Sequence, residues 1–347
     1  MQIALFVPAP FATVSGGYVY DRRMVAEWRA EGHAVEVIEL PGRHPLADGA
    51  TEAAALTAWA ALPDNARPLI DGLALPAFAP MAEALAARGA TTLIHHPTAL
   101  ETGLPDAERG MLRTIEHALL PRLHRVVTTS ADTAERLARD FGVAAERIAV
   151  VVPGTGNAPR SVGSGGTGCA ILSIGTLVPR KGHDVLLRAM ARLFDLDWHL
   201  TIVGGADRDP AHAAHLAALA SELGIARQVH FTGELVDAAL EAAWQPADLF
   251  ALATHYEGYG MVVAEALKRG LPVAICGGGA VGSLVPAEAG VVAPPGDHEA
   301  LSKAMRRLVF SADLRREMGD AAWQAGQALP SWKDQAAAFI RALEQET

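Results

Sequence analysis

The stretch HYEGYGMVVAEALKRGLPVAICGGG, residues 255–279, sets two carboxylates, Glu257 and Glu265, around a glycine-containing loop. Gly258 and Gly260 permit a tight turn in which backbone approaches a ligand. Met261–Arg269 has a helical pattern, stopped by Gly270 and Pro272. First-turn amides of such a helix are unpaired donors, so its start suits a phosphate. Were the turns regular throughout, Glu257 and Glu265 would lie about 80° apart, broadly on one side. Carboxylates so placed accept hydrogen bonds from hydroxyls, and bonds to a charged acceptor are comparatively strong. In ILSIGTLVPRKGHDVLLRAM, residues 171–190, a buried strand runs into Gly175 and Thr176, then the adjacent cations Arg180 and Lys181, then Gly182 and a helix. A planar guanidinium fork and a compact ammonium beside a helix start can form a pyrophosphate clamp. Either motif alone also reads as solvated surface charge. Their pairing in one half of the chain points to a shared anionic ligand.

These residues need strand ends and helix starts to hold them. Short apolar runs alternate with longer helical patterns along the whole sequence. Ile3–Val7, Val35–Leu40, Leu69–Asp71, Thr92–His95, Arg125–Thr128 and Ile148–Val152 read as strands, with Ala- and Leu-rich helices between them, one near Tyr18–Glu31. Residues 161–168, SVGSGGTG, lack periodicity and read as a linker. The rhythm restarts with strands at Ala170–Gly175, Leu200–Val203, Val229–Phe231, Leu249–Ala251 and Val273–Cys276. A helix follows at Asp184–Phe194, with Asp184 near its N-cap. The expected class is α/β: two doubly wound, Rossmann-like domains facing a central cleft. The expected boundaries are 1–160, a linker at 161–168, 169–327, and a last helix within 328–347 that packs back on the first domain, with Ser331 as its cap.

Composition narrows the partners. The net charge of −10 divides as −4 over residues 1–160 and −6 over the rest, so a broad basic face for nucleic acid is not expected. Four lysines are present, and Lys181 is the one inside a glycine-containing motif. Cys169 and Cys276 sit in apolar runs and read as buried thiols, not as a disulfide or metal site. Met1–Pro8 lacks the features of a signal peptide and no 18-residue uncharged apolar run appears, so a cytoplasmic location is expected. Residues 111–127 carry several Arg and an apolar stripe; a helix packed on the core is the expected reading, ahead of peripheral membrane contact.

The pairing of strand-G-x-L-x-P-R-K-G-helix with E-G-Y-G-x4-E resembles the GT-B-fold retaining glycosyltransferases of glycosyltransferase family 4, over nearly the whole chain and most strongly over 170–300. The resemblance implies that Lys181 and Arg180 bind the donor diphosphate, Glu257 contacts the transferred sugar and Glu265 holds the nucleotide ribose. Amides from Gly258, Tyr259, Gly260, Met261 and Val262 would face the sugar and phosphate. Gly16 and Gly17 would lie near the donor phosphates, and His95, with His96 as the other register, near the sugar or reacting centre. Gly175, Gly204, Phe231 and Thr232 mark strand exits around the phosphates and base. Glu101 is a weaker candidate for an acceptor pocket. Two departures stand out: Thr176 occupies the family's usual phosphate-binding Arg position, and Gly282-Ser283 stands where Pro-Glu is common.

The implied reaction moves a sugar from a UDP- or GDP-sugar to an acceptor hydroxyl, with retention of configuration and no metal or bound cofactor. The departing diphosphate would be stabilised by Arg180, Lys181 and the helix start in place of a divalent ion. The acceptor stays open between lipid, polysaccharide, protein and small molecule. A sugar-nucleotide epimerase of the same shape and a non-catalytic nucleotide-sugar binder are the alternatives. An NAD-dependent oxidoreductase is weaker, because no G-x-G-x-x-G follows the first strand.

Overall fold

In a computed structural model that describes residues 1–101 and 103–345, the chain divides into two units, Met1–Gly154 with Pro330–Thr347, and Thr155–Leu329. The first holds strands β1 (Gln2–Pro8), β2 (Ala34–Leu40), β3 (Ala66–Asp71), β4 (Thr91–Ile94), β5 (Arg125–Thr128) and β6 (Ile148–Val150). All pairs are parallel, in the order β2-β1-β3-β4-β5-β6. Helices α1 (Gly16–Ala30), α2 (Gly49–Ala60), α3 (Ala82–Ala87), α4 (Asp106–Leu119) and α5 (Ala131–Phe141) connect them. Strand β1 is buried from Ile3 to Val7, as a central parallel strand covered on both faces must be. Phe6, Trp59 and Phe78 interlock above it, with Phe6 and Phe78 edge to face at 5.1 Å.

The second unit holds β7 (Cys169–Ile174), β8 (Trp198–Val203), β9 (Val229–Gly233), β10 (Leu249–Leu252), β11 (Val273–Cys276) and β12 (Gly290–Ala293). Their order is β12-β11-β10-β7-β8-β9, again all parallel. Helices α6 (His183–Ala191), α7 (Pro210–Glu222), α8 (Asp237–Trp244), α9 (Met261–Lys268), α10 (His298–Phe310) and α11 (Ala312–Gln327) cover the sheet. Counted within the unit, the order is that of the dinucleotide-binding Rossmann sheet, whereas the first unit has the other common doubly wound order, that of flavodoxin-like sheets. The winding reverses between β1 and β3 in one and between β7 and β10 in the other.

The last helix, α12 (Trp332–Glu344), belongs to the first unit. A Ser331–Asp334 capping box starts it. Its apolar face buries Ala336, Phe339 and Leu343 against α1, where Trp28 meets the Phe339 ring at 5.0 Å and donates Nε1–H to Ala336 O at 3.3 Å. Arg67 donates to Leu343 O near its carboxyl end, where guanidinium groups suit the helix dipole.

Two local expectations differ from the structure. The division falls at Gly154–Thr155, ahead of the Gly/Ser-rich stretch 161–168 expected as the linker. That stretch is tied down inside the second unit. The Ser161 hydroxyl reaches Gln245 O and Ala247 O at 2.8 Å, and the Ser164 hydroxyl donates to Asp248 Oδ2 at 2.7 Å. The helix expected at Asp184–Phe194 runs His183–Ala191, with Gly182, left-handed at φ 63°, as its N-cap and Asp184 in its first turn. No helix among the described residues is long and apolar enough to cross a membrane.

Candidate active site

The winding reversal of the second unit separates the loops after β7 and β10, and open α/β sheets bind ligands in that crevice. The loop after β7 carries Arg180 and Lys181 in a short 3-10 turn, Pro179–Lys181. The loop after β10 carries Thr254, Tyr256 and Glu257. The two are sewn together: His255 N–H donates to Arg180 O at 2.9 Å, and the Thr254 hydroxyl donates to the same oxygen at 3.1 Å. Gly182 allows this approach, since a Cβ there would stand 2.0 Å from Ala253 O.

The side chains converge as a result. Lys181 Nζ lies 2.5 Å from Glu257 Oε1, and Arg180 Nη1 lies 3.5 Å from the same oxygen while donating to Tyr256 O at 2.7 Å. The Thr254 hydroxyl also reaches Glu257 Oε1 at 3.2 Å. Burial opposes ionisation of Glu257, but Lys181, Arg180 and Thr254 outweigh it and hold the carboxyl below its ordinary pKa. All these contacts use Oε1; among the described residues no hydrogen bond reaches Oε2.

Glu257 is not helical, so the 80° rotation argument does not place it. It forms a parallel bridge with Gly279, its N–H donating to Gly278 O at 2.9 Å and its carbonyl accepting from Ala280 N–H at 3.0 Å. The glycine-rich loop after β11 thereby positions Glu257. Gly260, left-handed, is the N-cap of α9, and no side chain caps that helix. Met261 and Val262 open its first turn, half-buried beside Gly258 and Tyr259, and burial pushes the Tyr259 hydroxyl up to about 12. Glu265 lies half-buried in the second turn of α9.

The remaining expected residues of this unit sit at strand exits. Gly175 N–H donates to Val203 O at 2.9 Å, and Gly204 N–H donates to Gly233 O at 2.9 Å. Thr176 is half-buried beside Gly175, and Gly204 packs directly on Gly175 O. Phe231 packs on the core, so its backbone is what can meet a ligand; the Thr232 hydroxyl bonds Gly233 O at 2.8 Å. His183, which the sequence reading passed over, lies buried beneath the clamp with Nε2 3.0 Å from Gly175 O. Burial drives its pKa down to about 4 against that hydrogen bond, and the Lys181 charge adds to the drop. A neutral His183 therefore donates Nε2–H and fixes the Gly175 carbonyl.

In the first unit, Gly16 and Gly17 are the first residues of α1, after Ser15 as N-cap. His95 follows β4 and its Nε2 lies 3.1 Å from Asp21 Oδ1 and 3.7 Å from Asp71 Oδ2. Asp21 comes from α1 and Asp71 ends β3; both are buried, while the His95 side chain is 23 % exposed. Burial raises Asp71 to about 7, repulsion from Asp21 adds to this, and His95 opposes it. Burial lowers the His95 pKa, yet Asp21 and Asp71 together carry it above the ordinary histidine value. Glu116 accepts Thr98 N–H at 2.6 Å and Ala99 N–H at 3.1 Å, pinning the turn after His95, His96 and Pro97. Glu101, half-buried, ends that turn with its N–H on Thr98 O at 3.1 Å.

Asp21, Asp71, Thr254 and His183 were not singled out from sequence. A carboxylate closing the apolar run Leu69-Ile70, at a strand's carboxyl end, was the available signal for Asp71. Asp21 offered none, since its partner lies 74 residues away.

The chain was compared with known proteins on this basis. Residues 156–325 match the model of the family described as Glycosyl transferases group 1. D-inositol 3-phosphate glycosyltransferase of Corynebacterium diphtheriae is 28% identical over 236 residues, 62% of this chain and 55% of that protein. The chain spans about half the length of the curated relatives it matches. Sucrose-phosphate synthase from Thermosynechococcus elongatus superposes with a TM-score of 0.81 at 21% identity, covering 98% of both chains. Anabaena HepE, solved in complex with UDP-glucose, superposes with a TM-score of 0.78 at 20% identity, covering 99% of this chain and 100% of its own. The whole chain thus has the fold of GT-B glycosyltransferases, and residues 156–325, which hold Arg180, Lys181, Glu257 and Glu265, carry the sequence pattern of glycosyl transferases group 1.

Proposed function

We propose that the chain is a glycosyltransferase that takes a sugar from a nucleoside diphosphate, UDP or GDP, and delivers it to an acceptor hydroxyl with retention of configuration, as in glycosyltransferase family 4. The observation that carries this reading is the meeting of Arg180, Lys181 and Glu257 at the winding reversal of the second sheet, beside the uncapped start of α9. The match of residues 156–325 to a glycosyl transferase family and the UDP-glucose bound by a protein of the same fold support it.

The chemistry follows from charge. As the bond between the anomeric carbon and the diphosphate oxygen breaks, negative charge grows on the leaving group. Preorganised cations facing that charge lower the barrier, because they need no rearrangement during the reaction. Arg180 and Lys181 supply it, and the amides of Gly260, Met261 and Val262 add directional donors. Glu257 offers Oε2 to sugar hydroxyls while Oε1 keeps Lys181 aimed. Glu265 accepts the ribose hydroxyls in this reading, and backbone at Phe231 and Thr232 meets the base. His95 contributes a polar contact to the sugar.

A panel of UDP-, GDP- and ADP-sugars tests the proposal by thermal shift and by release of free nucleoside diphosphate. One donor class should raise Tm, since a hundredfold excess over Kd adds roughly 2.7 kcal/mol of stability by linkage. Turnover of that donor should vanish in Glu257→Ala. A Glu257→Ala chain that binds and turns over the donor like the parent would end the proposal.

A further inference from the structure

The group around His95 is built more elaborately than a sugar contact requires. From α1 the ring meets Asp21 and Tyr20, the latter edge-on at 5.1 Å; from β3 it meets Asp71. Tyr20 is committed elsewhere, its hydroxyl donating to Val151 O at 3.1 Å, and burial together with Asp21 keeps that phenol protonated. Asp71 is anchored by Leu73 N–H on Oδ1 at 2.8 Å, which leaves Oδ2 toward His95. Gly17 gives the ring its place, since a Cβ there would lie 3.1 Å from His95 Cδ2. The ring is thus fixed through Nε2 on its buried side. Among the described residues nothing hydrogen-bonds Nδ1, and the side chain retains its 23 % exposure.

We propose that Asp21 and Asp71 are positioning residues that make His95 a fixed hydrogen-bond donor, with Nε2–H held on Asp21 and Nδ1–H presented to an oxygen of the substrate. The presentation to substrate rests on the glycosyltransferase reading above; the coupling of the three side chains does not. Burial raises Asp71 to about 7, and the neighbouring acids carry His95 above the ordinary histidine value. Loss of the Asp71 proton as pH rises through about 7 places a negative charge beside the ring and favours its protonated form. When the ring itself deprotonates, the proton lost is the one on Nδ1, because Nε2–H is retained by Asp21. Nδ1 then changes from donor to acceptor. The alkaline limb of activity is therefore set by His95, and the pH at which it falls is set by the two acids.

Nitrogen-detected NMR of ring-labelled histidines in the full chain reads this directly, with His95 assigned by loss of its signals in His95→Gln. The His95 midpoint should lie above the ordinary histidine value. Asp21→Asn keeps an acceptor for Nε2–H but removes the charge, and should lower the midpoint by about one pH unit or more. Asp71→Asn keeps the Leu73 contact and should lower it by a smaller amount. The alkaline limb of kcat should move with the midpoint in each variant, with the donor KM changed less than twofold. Should Asp21→Asn not fold, Asp71→Asn carries the test alone. Midpoints that stay put in folded variants would overturn the coupling. Midpoints that move while the kcat limb does not would overturn the presentation to substrate. If no nucleotide sugar is turned over at all, the proposed function fails, and the NMR shifts still decide the coupling.

Discussion

The two units place ionisable groups at the same topological position and treat them oppositely. In the second unit opposite charges face each other, Lys181 on Glu257 at 2.5 Å, and the carboxyl pKa falls. In the first unit two buried carboxyls meet a half-buried imidazole, and the Asp71 and His95 pKa values rise. In the proposed reading the second unit receives an anion from outside, whereas the first retains a proton. A sheet order tells where a ligand binds, and the sign of the buried charge tells what the position does.

The largest expected effect breaks this contrast at its charged end. Lys181→Ala should lower kcat about 100-fold or more with any accepted donor, since removal of one group stabilising transition-state charge has that magnitude. His95→Gln should cost less, about tenfold, which corresponds to one charge-assisted hydrogen bond. Steady-state assays on the two variants check the ranking; the reverse order would assign the main electrostatic task to the first unit.

Stability should show the contrast as opposite slopes against pH. Asp71 has a raised folded pKa, so its contribution is fully present below the unfolded value near 3.9 and is lost as pH rises through about 7. Asp71→Asn should therefore raise Tm at pH 8, by about 3 °C or more, and leave it nearly unchanged at pH 4. His183 has a depressed folded pKa, so its contribution is present above the unfolded value near 6.5 and is lost as pH falls through about 4. His183→Gln should be less stable than the parent at pH 7.5, by about 2 °C, with the gap closing toward pH 4.5. Scanning calorimetry across pH measures both. The smallest effect belongs to Gly17→Ala. The methyl would press on His95 Cδ2, and about a threefold loss in kcat, with Tm within about 1 °C, is expected from a ring displaced by a few tenths of an ångström.

Much of this was legible in the sequence, and the boundary is physical. The strands were visible because buried parallel strands are continuous apolar runs, as in Ile3–Val7. Their order was not, because hydrogen-bonded neighbours such as β7 and β10 lie some 75 residues apart. Arg180, Lys181 and Glu257 stood out because glycines flank them closely. The rotation argument for Glu257 failed because tertiary pairing with Gly279 overrode the extrapolated helix. Residues 161–168 have a flexible composition, yet Asp248 and the carbonyls after α8 supply partners that composition does not reveal. Asp21 and Asp71 were missed because a charge's meaning depends on neighbours brought in by the fold, here across 74 and 24 residues from His95.

Helix α12 has a consequence for biosynthesis. In the first unit Trp28 is covered by Ala336 and Phe339, residues that follow the entire second unit in the chain. At ribosomal speeds of about 5–20 residues per second, that face waits roughly 10–40 s for its cover. Nascent chains halted before Trp332 should therefore be good clients for chaperones that grip exposed aromatic side chains, and release should coincide with emergence of Phe339.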